Sequence, residues 1–290
     1  MKNFKAIIAL VLVAVMCLAL FVGCASSTPE NDQNIQENNV SPAPEAENAS
    51  DLEYILNNGK MVIGYTDYAP MNYTDENGEF TGFDTEFAIA VCEKLGVEPE
   101  FVEINWDTKE VELNAKSIDC IWNGLTIDED RKATMSISVP YVKNAQVVVV
   151  KADSDYSSTA DLIGKTVVAE VSSAGEAQII GEDADENLAQ AEYISMAKQT
   201  NCLVEVKSGT ADAAVLDWTL AKTTTGEGTD YADLKMLDLE LASEEYGIAF
   251  RKGSDVTEAV NNAIAELVAD GTLPALAEKY GLALAPAIAG

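Results

Sequence analysis

The 290-residue chain contains no histidine. That absence removes the Ser-His-Asp triad, the Cys-His pair and every histidine-based zinc site from consideration. Positive charge is scarce as well: 18 Lys and Arg stand against 49 Asp and Glu, for a net charge of −31 and a sequence pI near 4.1. Without a basic stripe to neutralise phosphates, nucleic-acid binding is disfavoured. An acidic balance signals solubility and self-repulsion first, and attraction of cationic solutes second. The five cysteines form no CxxC pair and no disulfide framework. The acids are scattered and lack the spacing of a calcium loop. No metal or cofactor is therefore expected. No period of about 20–50 residues recurs, which argues against a solenoid.

What is present begins with a compartment signal. Lys2 and Lys5 precede an apolar run from Ala6 to about Gly23, the n-region and h-region of a signal peptide over residues 1–23. The run barely reaches the roughly 17 residues needed to span a bilayer. It ends in Leu20-Phe21-Val22-Gly23-Cys24, which resembles a bacterial lipobox, with Phe21 standing where an aliphatic residue is usual. In that resemblance Cys24 is the lipidated first residue of the mature protein, and several acyl chains hold where a single one binds reversibly. Cleavage removes two lysines and no acids, leaving a balance of −33. Residues 25–50 are rich in Ser, Pro, Asn, Glu and Ala, with five acids and no Lys or Arg. The segment 24–50 thus reads as a lipidated N-terminus followed by a disordered tether. Cys92, Cys120 and Cys202 remain. An odd number outside the cell means a free thiol or an intermolecular bridge; the blander reading is three small buried apolar residues.

The rest alternates strand and helix patterns, which argues for an α/β fold. Asp51 is placed to cap a short helix through Leu52, Ile55 and Leu56, closed by Gly59. Strands are expected over 61–63, 101–104, 118–122, 146–150, 166–169, 213–216 and 246–251. Helices are expected from Asp84 to Gly96, over 107–116, near 175–180 and 197–207, and over 218–224, 256–269 and 273–280.

In open α/β sheets ligands bind beyond the carboxyl ends of strands, so the segments after each strand carry the chemistry. They contain Tyr68, Asn123-Gly124-Leu125-Thr126 with Arg131 beyond, Ser172-Ser173-Ala174-Gly175, and Asp217. A planar guanidinium matches a carboxylate in a bidentate pair. Asp217 can accept from an ammonium, hydroxyls complete the bonds, and Tyr68 and Trp106 can stack on a side chain. That set suits a free amino acid. Each residue also has a plainer reading. Arg131 after Asp128-Glu129-Asp130 also fits a surface ion pair of little energetic weight, and Asp217 also fits a helix N-cap. Tyr68 beside Ala69-Pro70 also fits a turn aromatic. Trp122, Tyr73 and Phe83 read as packing residues. Asp67 and Glu170 read as solvated acids before they read as selectors of a cationic side chain.

An ordered series of fragments carries a resemblance. It runs from Gly64-Tyr-Thr-Asp-Tyr-Ala-Pro70 through Gly82-Phe83-Asp84 and Trp106-Asp107 to Asn123-Gly124-Leu-Thr126 and Arg131. It continues with Pro140-Tyr141, Asp161-Leu-Ile-Gly164-Lys165, Tyr246 to Gly253 and Asp270-Gly271-Thr272-Leu273. Over about residues 51–283 the chain resembles the family 3 solute-binding proteins, the polar-amino-acid receptors of ABC importers. The resemblance implies a two-lobed periplasmic-binding-protein-like fold of type II, each lobe a mixed, mostly parallel sheet flanked by helices. One lobe is 51–144 with 241–290, the other 145–240, and the lobes close by hinge bending. By position it implies that Arg131 holds the ligand α-carboxylate and Thr126 adds a hydroxyl contact. The carbonyl of Gly124 and the carboxylate of Asp217 take the α-ammonium, Tyr68 and Trp106 flank the side chain, and Asn123 reaches it. Family members often have two hydroxyl residues after glycine where this chain has Ser173-Ala174. The carboxylate would then use Ser173 and backbone N–H groups near Gly175, at a helix start that favours anions. A monomer anchored to the outer face of the cytoplasmic membrane, partnered by an ABC permease, is expected. Rival readings are a prephenate or arogenate dehydratase on the same scaffold, for which Glu170 is the one candidate acid, and a sensory ligand-binding protein.

Overall fold

Local signals place most elements, and the computed structural model describes residues 50–289. The expected signal peptide, the lipidation site Cys24 and the tether before Ser50 lie outside the described residues. Helix α1 (Asp51–Asn58) opens at Ser50, whose hydroxyl accepts from Glu53 N at 2.8 Å, and closes at Gly59 with φ 69°. The cap is therefore Ser50 and not Asp51. Asp51 already lies inside the helix, and its carboxylate turns instead to Arg251 Nε at 2.8 Å and Lys116 at 3.2 Å.

The first region continues with strand β1 (Lys60–Tyr65), the short hairpin β2 (Tyr73–Thr74) and β3 (Phe80–Thr81), and helix α2 (Phe83–Leu95). Next come β4 (Glu98–Glu103), a 3-10 turn at Trp106–Thr108, α3 (Lys109–Asn114), β5 (Cys120–Thr126), α4 (Glu129–Thr134) and β6 (Met135–Ile137). Strand β7 (Val142–Lys151) leads into β8 (Thr166–Glu170), α5 (Ala174–Ile180), β9 (Glu192–Met196), α6 (Gln199–Ser208), β10 (Ala213–Asp217), α7 (Trp218–Thr224) and β11 (Leu234–Met236). Strand β12 (Ala242–Arg251), α8 (Val256–Ala269) and α9 (Thr272–Tyr280) complete the fold.

The strands form one mixed sheet in the order β4-β1-β5-β12-β7-β10-β8-β9, with β6 beside β12 and β11 beside β7. At one end β4, β1 and β5 are parallel; at the other β10, β8 and β9 are parallel. Two long antiparallel strands join these halves, and each changes partners along its length. Residues 142–146 of β7 pair with 242–246 of β12. Beyond that stretch β7 continues alongside β10 and β11, and β12 alongside β5 and β6.

All seven residues of β5 and all five of β10 are buried, as expected of central strands covered on both faces. Phe87 meets Trp122 edge-on at 5.0 Å, with Phe83 and Tyr141 alongside, so Trp122 and Phe83 are core residues. Cys92, Cys120 and Cys202 are free and buried. The elements missed by periodicity are short or at the margins. Strand β9, at a sheet edge, has exposed residues on both faces and no apolar run to announce it. Strand β5 extends past its expected end, so Asn123 to Thr126 are strand residues. Pairing with Tyr246 and Gly247 of β12 holds that extension.

Candidate functional site

The parallel strands bring their carboxyl ends to a common, narrow cleft. Tyr68, Trp106, Asn123, Gly124, Thr126 and Arg131 line it from the first region of the chain. Ser173 and Asp217 face them from the β8–β10 half. Gly175 is set back. A Cβ there would come within 2.8 Å of Val215 O, so its role is close packing of α5 on β10. Ser173 lines the cleft and also caps α5, accepting from Glu176 N at 3.1 Å.

Arg131 is 8% exposed. Its Nη1 donates to Thr126 O at 2.6 Å, its Nη2 to Ser172 O at 3.4 Å, and its Nε lies 3.2 Å from Asp128 Oδ2. This is a buried, oriented guanidinium and not a surface helix pair. Asp217 sits at the N-cap position of α7, yet its side chain caps nothing. Its Oδ1 accepts from Asn144 Nδ2 at 2.6 Å and Gln146 Nε2 at 2.7 Å, and its Oδ2 accepts from Gln199 Nε2. A carboxylate offers about four acceptor positions. Three amide donors therefore hold Asp217 in place and leave room for a further donor.

Strand register explains this network. Asn144 and Gln146 are two residues apart on β7 and share one face. Asn144 stands opposite Glu244 of β12, and Gln146 opposite Asp217 of β10. The two amides thus bridge two carboxylates, with Thr126 Oγ1 also donating to Glu244 Oε1 at 3.0 Å. Burial and the neighbouring Asp217 charge raise the Glu244 carboxyl above its ordinary value.

Tyr68 presents its ring to the cleft, and its hydroxyl bonds to Thr219 and, at 2.6 Å, to Tyr246. Gly124, with φ 58°, passes so near that a Cβ would sit 2.8 Å from the Tyr68 ring. Trp106 is buried, and Lys109 Nζ lies 4.7 Å from its ring centre. Asn123 lines the cleft, but its amide is engaged elsewhere. It donates to Thr66 O at 2.9 Å and Asn72 Oδ1 at 2.8 Å, and it accepts from Thr66 Oγ1 at 2.7 Å. Its geometry is that of a brace for the Thr66–Asn72 loop.

Thr66, Asp67, Glu170, Ala174 and Gln199 also line the cleft. Sequence reasoning set Asp67 and Glu170 aside as solvated acids and did not single out Gln199, Asn144, Gln146 or Glu244. The available signal was polarity in the wrong place: Asn144 and Gln146 lead a valine run, and Glu170 ends one. Glu170 is 3% exposed. Burial, with Asp217 adding to it, pushes its carboxyl up to about 8, against the pull of Lys109, Lys198 and Arg131. Burial, and then the Arg131 charge, brings the Lys109 ammonium down to about 8.

A pH prediction follows from Glu170. The folded protein retains its proton up to about pH 8, whereas the group's ordinary value is 4.5. Between these values the folded state binds more protons than the unfolded chain, so this group makes the ligand-free protein less stable as pH rises. Glu170→Gln cannot titrate. Its melting temperature is expected to gain on wild type between about pH 5 and about pH 8. Parallel melting curves across that range would refute the assignment.

Comparison with known proteins places this geometry. The profile of the bacterial extracellular solute-binding proteins, family 3, matches residues 61–283. The L-cystine-binding protein TcyJ of Escherichia coli K12 is 31% identical over 233 residues, covering 79% of this chain and 85% of that one. The crystal structure of a P235GK mutant of the arginine-binding protein ArgBP from T. maritima superposes with a TM-score of 0.73 at 34% identity, covering 80% of this chain and 99% of that one. The ancestral amino acid-binding protein AncCDT-1, described as a precursor of cyclohexadienyl dehydratase, superposes with a TM-score of 0.70 at 32% identity, covering 80% and 99%. The fold is the mixed α/β, two-lobed architecture of these binding proteins.

Proposed function

Since the chain belongs to the bacterial extracellular solute-binding proteins of family 3, we propose that it is the receptor of an ABC importer, capturing a free polar amino acid outside the cytoplasmic membrane. The observation that carries this reading is the pairing of Arg131 and Asp217 in one buried cleft. A guanidinium and a carboxylate held by opposing walls match the two charges common to every free amino acid. In this reading Arg131 takes the α-carboxylate with the Thr126 hydroxyl beside it. Asp217 and the Gly124 carbonyl take the α-ammonium, Tyr68 and Trp106 flank the side chain, and Ser173 closes the carboxylate end. The relatives' names point the same way: they bind cystine and arginine.

The lobes of this receptor are 51–144 with 241–290, and 145–240. The crossing of β7 and β12 at residues 142–146 and 242–246 supports those limits, because among the described residues only there does the chain pass from one parallel group to the other. Closure is supported by contacts between the two segments: Ser172 Oγ to Asp107 at 2.7 Å, Lys198 to Glu103, and Tyr68 to Thr219. Processing after residue 23 and lipidation of Cys24 would hold the receptor on the membrane beside its permease.

The test is a thermal-shift screen of ligand-stripped protein against the twenty amino acids, followed by calorimetry. A ligand that binds only the folded state adds about 4 kcal/mol of stability at a thousandfold excess over Kd. A large shift with one amino acid or a few is expected, and the absence of any shift would overturn the reading. A second reading has one observation in its favour: Glu170 is buried on the cleft wall, where burial raises its carboxyl to about 8, towards the protonated form a general acid requires. Release of product from prephenate or arogenate would establish a dehydratase in place of the receptor.

A further inference from the structure

Glu170 ends strand β8 and lines the cleft, and its side chain makes no hydrogen bond or ion pair among the described residues. Its Oε1 is fully buried. The charged groups that act on it make their own contacts to other partners. Lys109 Nζ, from α3, donates to Trp106 O at 3.1 Å and Ser172 O at 3.0 Å. Lys198, ahead of α6, pairs with Glu103. Arg131, from α4, is held by Thr126 O and Asp128. Asp217, from β10, is held by its three amides. Asp67, on the loop after β1, also lines the cleft and adds a second acid.

A buried carboxylate without a partner is costly, and an apolar side chain would end the strand without that cost. Glu170 therefore has no evident role in holding the fold together. An amino acid seated between Arg131 and Asp217 neutralises both of those charges. What remains for its side chain is the unpartnered Glu170, with the exposed Asp67 also on the cleft wall and the Lys109 ammonium within electrostatic reach of Glu170.

We propose that Glu170, with Asp67 also lining the cleft, receives a positively charged group on the ligand's side chain, so that the cleft selects arginine, lysine or ornithine over neutral polar amino acids. This rests on the amino-acid reading of the site. The raised proton affinity of Glu170 adds a signature. A cationic side chain displaces the proton, so affinity for it rises as pH climbs from about 6 to about 8. A neutral ligand gains nothing at Glu170 from that change.

Calorimetry with arginine and with citrulline, its neutral urea isostere, tests the proposal. Wild-type protein is expected to bind arginine about 10- to 100-fold more tightly than citrulline, the scale of one or two charge-assisted hydrogen bonds. Glu170→Gln is expected to weaken arginine, spare citrulline, and flatten the difference between their pH profiles. Wild-type selectivity and its pH profile need no variant, so poor folding of Glu170→Gln would leave the test intact. Equal wild-type affinity for arginine and citrulline would overturn the proposal while leaving an amino-acid receptor in place. Equal weakening of both ligands by Glu170→Gln would also overturn it, because Glu170 would then serve the ammonium common to both. Failure of every amino acid to bind would overturn the proposal together with the reading beneath it.

Discussion

Arg131→Ala and Asp217→Ala are each expected to weaken amino-acid binding by about 2–5 kcal/mol, a factor of roughly 30 to several thousand. The size follows from what truncation leaves behind. Each side chain is almost completely buried, at 8% and 5% exposure, so the ligand charge it meets is desolvated on binding. With the partner removed, that ligand charge enters the cleft uncompensated. Asp217→Ala also strands the amide donors of Asn144, Gln146 and Gln199, so part of its effect falls on the cleft itself. Asp217→Asn keeps the shape and removes the charge together with one acceptor oxygen, so it strands fewer of the amide donors than alanine does. Titration of each variant with the best ligand from the screen is the measurement. Near-wild-type affinity in both alanine variants would mean that the ligand sits elsewhere.

The second large effect concerns stability. Arg251→Met is expected to cost about 3–5 kcal/mol. Arg251 is 8% exposed and ties three parts of the first region together at the end of β12. Its Nε donates to Asp51 Oδ2 at 2.8 Å, its Nη1 to Ile118 O at 2.8 Å and Leu113 O at 3.2 Å, and its Nη2 to Asp119 Oδ1 at 3.3 Å. Methionine fills much of the volume but leaves Asp119, itself 4% exposed, as an uncompensated buried charge. Removing one member of a buried ion pair is far more damaging than replacing the whole pair. For a domain of this size the loss corresponds to a melting temperature lower by roughly 6–20 °C. An unchanged melting temperature would show that the clamp contributes nothing net.

Much of the site was legible because strand ends are local signals. A β-branched run followed by a polar residue marks the place where a parallel strand delivers its side chain to a cleft. That logic points to Thr126 and Asp217, with Arg131 a few residues beyond a strand end, and all three line the cleft. It brings Asn123 to the cleft but does not show that its amide is consumed by Thr66 and Asn72, because the path of a distant loop decides that bond. It failed for Glu170. In a chain with 49 acids a single glutamate looks solvated, and only the closing of the walls around it shows otherwise.

The sequence by itself determined the α/β alternation, the family, the absence of histidine chemistry and the candidate charges for an amino acid. These depend on periodicity and on motifs a few residues long, which survive without a fold. Tertiary structure alone decided how those charges are held. Gln146 meets Asp217 from 71 residues away, and Asn144 meets Glu244 from 100 residues away. Both meetings depend on the register of β7 between β10 and β12, and a one-residue slip would turn Asn144 and Gln146 to the other face. Burial works in the same way. Whether a carboxylate is an idle surface charge or an unpartnered group in a cleft depends on which walls close over it, and those walls come from segments far apart along the chain.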